Sequence, residues 1–179
     1  MRQHKEKMTD CKAGDGFTLA EVLLVVLIIA VAAMIAVPMM GSSSDMQIRP
    51  AANMIAADLE YAKSMAISRQ KNYSVVFNPA GSYYEVHDPN GIIEHPVKKG
   101  FDYKSYKVDF SSDSRLNNVV IDNADFDSSN TITFDYLGSP YSGSGTSNPL
   151  NGGTISLRAG NFIMNINVEP ATGFISITN

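Results

Sequence analysis

From Phe17 to Met40 the chain is almost wholly apolar and carries one charge, Glu21, and no Lys, Arg or His occurs in that stretch. As a helix rising about 1.5 Å per residue, the run reaches roughly 36 Å, enough for a hydrocarbon core of about 30 Å. The 16 residues before it carry Arg2, Lys5, Lys7 and Lys12 against Glu6, Asp10 and Asp15, and the next basic residue after it is Arg49. That Lys/Arg bias places the N-terminus in the cytoplasm and the remainder across the membrane. The reading is a single-span protein with an exported body. Three others compete: a buried core helix, a removable secretory signal and a plain signal anchor. Core helices of small domains usually keep a polar face. Ala30-Val31-Ala32 has the small-x-small pattern of a signal cleavage site, but more apolar residues follow it. A plain anchor leaves the acid near the cytoplasmic end of the span unexplained.

A lone carboxylate within a span costs on the order of 2–3 kcal/mol or more, so it neutralises, reaches the interface or finds a cation. The run offers Glu21 none. A cation arises if the chain is cut between Gly16 and Phe17, because the α-amino group of Phe17 is then free. It can pair with Glu21 of its own chain or with Glu21 of a neighbouring helix. The second option sets a staggered register between packed helices.

Gly16-Phe17-Thr18-Leu19-Ala20-Glu21, with the apolar run behind it, resembles the prepilin cleavage and N-methylation motif of type IV pilins and type II secretion pseudopilins. The resemblance implies cleavage after Gly16 by a prepilin peptidase on the cytoplasmic face, then methylation of the Phe17 amine. Glu21 holds the motif's acidic position, which serves assembly. Pro38 falls where many such helices carry a proline; lacking an amide hydrogen, it should kink the helix near Ala36–Val37 or mark its end. Asp15 departs from the basic residues common before the cleavage glycine. Cys11, the single cysteine, lies in the leader, so the mature chain would have none.

The expected organisation is a cleaved leader at 1–16, a transmembrane and assembly helix at 17–40, a hinge and amphipathic helix at 41–70, and a periplasmic β-rich domain at 71–179. Ile48, Ala52, Ile55, Leu59, Ala62 and Ala66 mark one helical face, with Pro50 suited to a first helical position. Beyond Asn72 the period changes to two. Expected strands are Tyr73–Phe77, Tyr83–His87, Ile92–Val97, Phe101–Phe110, Val119–Ile121, Thr131–Phe134, Thr154–Leu157, Phe162–Val168 and Phe174–Thr178, with turns at Asn78-Pro-Ala-Gly81, Asp88-Pro-Asn-Gly91 and Pro170-Ala-Thr-Gly173. Ser139–Gly153 reads as a long exposed loop. The fold class is therefore α+β: a long hydrophobic helix continuing into an amphipathic helix packed on an antiparallel sheet, as in pilins.

The helix Ala57–Gln70 and the segments 131–138, 153–157 and 168–177 are similar to those of GspH/FimT-type minor pseudopilins. This resemblance implies a structural, non-enzymatic subunit of a type II secretion pseudopilus, located in the bacterial inner membrane before its incorporation. Its implied partners are a prepilin peptidase/methyltransferase, other pilins or pseudopilins, and an inner-membrane assembly platform. The alternative is a FimT/FimU-like minor pilin of a type IV pilus, aiding assembly or DNA uptake. DNA fits poorly with a net charge of −4, a pI near 5.3 and Arg158 as the one basic residue after Gly138. A modest basic cluster, Lys98, Lys99, Lys104 and Lys107, is interleaved with Phe101, Tyr103 and Tyr106. His87, Asp88, Glu94 and His95 flank one turn, and Asn123, Asp125 and Asp127 have the spacing of a calcium loop's first ligands without its glycine or distal glutamate. No cofactor, metal or catalytic constellation is expected.

Overall fold

A computed structural model of the chain describes residues 17–39, 43–96 and 105–179. It comprises two compact units, 1–41 and 42–179. In the first, helix α1 spans Leu19–Met39. Every residue from 17 to 34 is exposed, and over that stretch apolar side chains occupy all sides of the helix. Among the described residues no helix is long and apolar enough to cross a membrane. The part of α1 with described side chains, 19–34, is about 24 Å long, whereas the apolar run continues to Met40.

The second unit is α+β. Helix α2, Ser43–Arg69, buries Ile48, Ala51, Ala52, Ile55, Leu59, Ala62 and Ala66, the stripe that period 3.6 requires. It does not start at Pro50, as the sequence suggests; Pro50 lies inside it. The amide that proline lacks would have pointed back to Met46, where the helix surface is exposed. Buried Ile48 meanwhile holds the preceding turn in the core. Of the expected hinge or helix start at 41–45, residues 41 and 42 lie outside those described and 43–45 belong to α2. At its far end α2 closes with Gln70 left-handed (φ 55°) and the Lys71 amide donating to the Ala66 carbonyl.

Two antiparallel sheets follow. The first holds β1 (Tyr73–Asn78), β2 (Tyr83–Asp88), β3 (Gly91–Ile92), β4 (Lys107–Asp109), β6 (Thr131–Phe134) and β7 (Pro140–Ser142), ordered β3-β2-β1-β6-β7, with β4 also on β2. The second is β10-β9-β8-β5, from β5 (Val120–Phe126), β8 (Gly153–Ala159), β9 (Phe162–Val168) and β10 (Ile175–Thr178). Alternation assigns one face of each strand to a single core, which both sheets share with α2. Phe77 of β1 meets Phe126 of β5, ring centroids 5.7 Å apart. Asn130, just before β6, prolongs the β1–β6 pairing, its side-chain amide nitrogen donating to the Phe77 carbonyl at 2.8 Å.

Three departures from the sequence reading have physical causes. Strand β5 runs five residues further than expected because a bulge at Asp122 breaks the alternation that would have revealed it. The segment 139–153 is not wholly an exposed loop: Pro140 and Ser142 are buried in β7 and Leu150 in the core. Polarity does not expel Ser142, because its hydroxyl donates to the Phe126 carbonyl at 2.6 Å. Of the strands expected at Ile92–Val97 and Phe101–Phe110, only Gly91–Ile92 and Lys107–Asp109 are strand among the described residues; 97–104 lie outside them.

Where β6 turns into β7, the buried Asp135 carboxylate accepts from the Leu137 and Ser139 amides at 2.9 and 2.8 Å. Gly138 follows at φ +84°, and a Cβ there would stand 2.9 Å from Cδ1 of Ile67. Gly173, in the β9–β10 turn at φ +57°, would place a Cβ 3.1 Å from the Gly138 carbonyl oxygen. Two turns and the end of α2 therefore meet at van der Waals distance, and Lys63 secures them by donating to the Gly173 carbonyl at 3.0 Å.

Candidate functional site

The candidate assembly motif opens α1. Gly16 lies outside the described residues, while Phe17 is exposed just before the helix. Thr18 caps that helix: its hydroxyl oxygen accepts from the Glu21 amide at 3.2 Å, and its carbonyl accepts from the amides of Glu21 and Val22. Thr18-Leu19-Ala20-Glu21 thus has capping-box spacing, and a carboxylate in the first turn also favours the helix dipole. Phe17 and Glu21 line one shallow depression with Val22, Val25 and Val26. The geometry brings the two key positions together and supplies Glu21 with a local role that sequence reasoning did not give it. Position 38 lies in the last described turn of α1.

The other candidates disperse. His87 sits 3.2 Å from Glu85, and Asp88 accepts from the Asn90 amide at 2.8 Å. His95 stacks on Tyr106, centroids 4.3 Å apart. Asn123 and Asp125 belong to β5, not to a loop. Asp125 accepts from the Ser128 amide and Asp127 from the Asn151 amide, so these carboxylates hold turns. Among the described residues no three His, Cys, Asp or Glu side chains gather as metal ligands. Lys98, Lys99, Phe101, Tyr103 and Lys104 lie outside the described residues. Lys107 stands over the Tyr83 ring at 3.6 Å and lies 4.0 Å from Glu85, while Arg115 and Arg158 pair with Asp113 and Asp122 at 2.7 Å.

One polar cluster was invisible to pattern reading. Asp58, at the margin of the α2 stripe, accepts from the Tyr84 hydroxyl at 2.5 Å and the Tyr106 hydroxyl at 2.8 Å. Tyr61, one turn along α2, stacks on Tyr106 at 5.6 Å. A carboxylate on the helix thereby holds β2 and the entry to β4. The available signal was an acid beside Leu59 in a chain with eight tyrosines, but which of them it meets depends on the fold. Burial, then the Asp58 charge, pushes the Tyr84 hydroxyl well above its usual range, and the same causes raise Tyr106.

That shift fixes a pH dependence. Below about pH 10 tyrosine is neutral in both folded and unfolded chains, so the cluster's contribution is complete. Above it, the unfolded chain releases protons that the folded chain keeps, and stability falls as pH rises. Tyr84 alone should steepen the loss by up to about 1.4 kcal/mol per pH unit. Urea titrations of the full chain between pH 9 and 11 should show a shallower decline for Tyr84→Phe; equal slopes would refute the assignment.

A family model described as Type II transport protein GspH matches residues 51–172. No curated protein matches the chain. Among solved structures, the type IV minor pilin FimU of Pseudomonas aeruginosa is 16% identical, with a TM-score of 0.45 over 73% of this chain and 92% of that one. A second crystal form of FimU gives 0.46 over 73% and 87%. The minor pseudopilin EpsH of the Vibrio cholerae Type 2 Secretion System is 8% identical, with a TM-score of 0.49 over 74% and 96%. The family match begins downstream of Glu21, so it is independent of the N-terminal motif.

Proposed function

The chain belongs to the family of type II transport protein GspH, and from that premise we propose that it is a structural minor pseudopilin, inserted once in the inner membrane with its β-domain in the periplasm. Maturation removes residues 1–16 and methylates the Phe17 amine. The apolar helix then leaves the bilayer for a pseudopilus, in which the Phe17 ammonium of one chain and Glu21 of another fix the register. The platform and the other pilins would be met through this helix, and Pro38 would let it bend. The observation that carries this reading is the conjunction of Gly16, Phe17 and Glu21 with a helix whose described side chains are exposed and apolar on every side. An α-helix of that kind needs lipid or like helices around it. Nothing in this role requires catalysis. The matched family's description, type II transport protein, supports the type II secretion reading; a minor pilin of a type IV pilus is the second reading.

Mass spectrometry of the protein isolated from its membrane tests the reading. The expected mature N-terminus is N-methyl-Phe17. An intact Met1, or a start at Ala33 after the small-x-small site, overturns it.

A further inference from the structure

Asparagine followed by glycine occurs twice in the chain, at Asn90-Gly91 and Asn151-Gly152, and both asparagines are exposed. A glycine has no Cβ to shield its amide nitrogen, which can then reach the side-chain carbonyl carbon of the preceding asparagine and close a five-membered ring. That attack needs an amide with no other partner. The two sites differ in this respect. Gly91 belongs to β3 and pairs with Asp88 of β2. The Ile93 amide donates to the Val86 carbonyl, so antiparallel alternation makes Asp88 and Gly91 the next hydrogen-bonded pair. Gly152 stands outside the strands, one residue before β8, and its amide donates to no group among the described residues. A Cβ at Gly152 would meet nothing within 4 Å, so a ring has room to form there.

We propose that Asn151 is a self-modifying site, which deamidates through a cyclic imide with Gly152, while Asn90 is held back by its hairpin. The Gly152 nitrogen bonds to Cγ of Asn151, the Cγ–Nδ2 bond breaks, and ammonia leaves with the Gly152 amide proton. Water then opens the ring. Addition at Cγ gives aspartate. Addition at the backbone carbonyl gives isoaspartate, whose main chain runs through Cγ and is longer by a methylene group. The only co-reactant is water. The change falls on a link between two elements: Oδ2 of Asp127, just after β5, accepts from the Asn151 backbone amide at 2.8 Å and from its Nδ2 at 3.4 Å. Aspartate at 151 exchanges that side-chain donor for a second carboxylate, so like charges face each other where β5 ends and β8 begins. The inference concerns the β-domain alone and does not depend on the pseudopilin reading.

The test incubates the full chain in phosphatidylcholine vesicles at mildly alkaline pH. Peptide mapping by mass spectrometry follows each asparagine, and an isoaspartate-specific methyltransferase labels the isomerised product. Conversion at Asn151 should outpace that at Asn90 by about tenfold or more, a factor set by as little as about 1.4 kcal/mol of hairpin opening. Gly152→Ala should slow Asn151 by about tenfold or more and leave Asn90 unchanged, because the new Cβ crowds the attacking nitrogen but strikes no neighbour in the fold. Unfolding the chain in urea should bring the two sites to closely similar rates, since the hairpin no longer holds Gly91. The proposal is overturned if Asn90 converts as fast as Asn151 in the folded chain, or if Gly152→Ala leaves the Asn151 rate unchanged. It is equally overturned if Asn151 stays intact in the folded chain while the unfolded chain converts there.

Discussion

Tyr84→Ala is expected to destabilise the β-domain by about 4 kcal/mol, the range of a buried aromatic truncated to alanine. Tyr84 is fully buried on β2, its ring 5.5 Å from Phe77 and edge-on to Phe110 at 6.2 Å. Removing it empties a site bounded on two sides by aromatic side chains and strips Asp58 of one of its two tyrosine donors. Tyr84→Phe separates the two effects, since it keeps the ring and loses only the hydrogen bond to the carboxylate. Its cost should be about 1.5–3 kcal/mol. Urea midpoints at unchanged slope would report both numbers. If the two variants lose the same stability, the hydroxyl and not the ring carries the site. A loss under about 1 kcal/mol for Tyr84→Ala would contradict the packing described here. For a domain stabilised by roughly 5–15 kcal/mol, the alanine variant should be markedly depleted in cells.

Glu21→Ala should leave membrane insertion and leader removal unchanged while reducing incorporation into sheared filaments by about tenfold or more. One ammonium–carboxylate pair in a low-dielectric helix bundle is worth a few kcal/mol, and each 1.4 kcal/mol is a factor of ten. The Thr18 cap makes alanine alone ambiguous, because Glu21 stands where a capping box places its acid. Glu21→Gln resolves it. Glutamine keeps the capping geometry and removes the charge, so it should fail as alanine does. Recovery of assembly by glutamine would mean that Glu21 serves its own helix, and the pairing with a neighbouring Phe17 would have to be abandoned.

What the sequence disclosed followed from how periodic each segment was. The α2 stripe from Ile48 to Ala66 is unambiguous, and Thr131–Phe134 and Phe162–Val168 are strands at the expected bounds. Strand β5 was partly hidden because the Asp122 bulge shifts its inward positions by one. Strand β7 was missed because Pro140, Tyr141 and Ser142 carry the composition of a loop; a hydroxyl satisfied by the Phe126 carbonyl is what lets Ser142 be buried. The candidate cleavage and methylation motif could be proposed from sequence because its residues are adjacent. The Asp58 cluster could not. Its members come from a helix, a strand and the entry to another strand, and only the packed fold brings Tyr84 and Tyr106 to one carboxylate.

Helix α2 offers both sheets the same narrow stripe, four of whose members, Ala51, Ala52, Ala62 and Ala66, are no larger than a methyl group and fully enclosed. The two layers pack on it and on each other. A bulkier side chain at any of these four places would act as a wedge in the one core that both layers share, so loosening one layer disturbs the other. Forces transmitted along a filament would meet one cooperative block, which gives way entire or not at all.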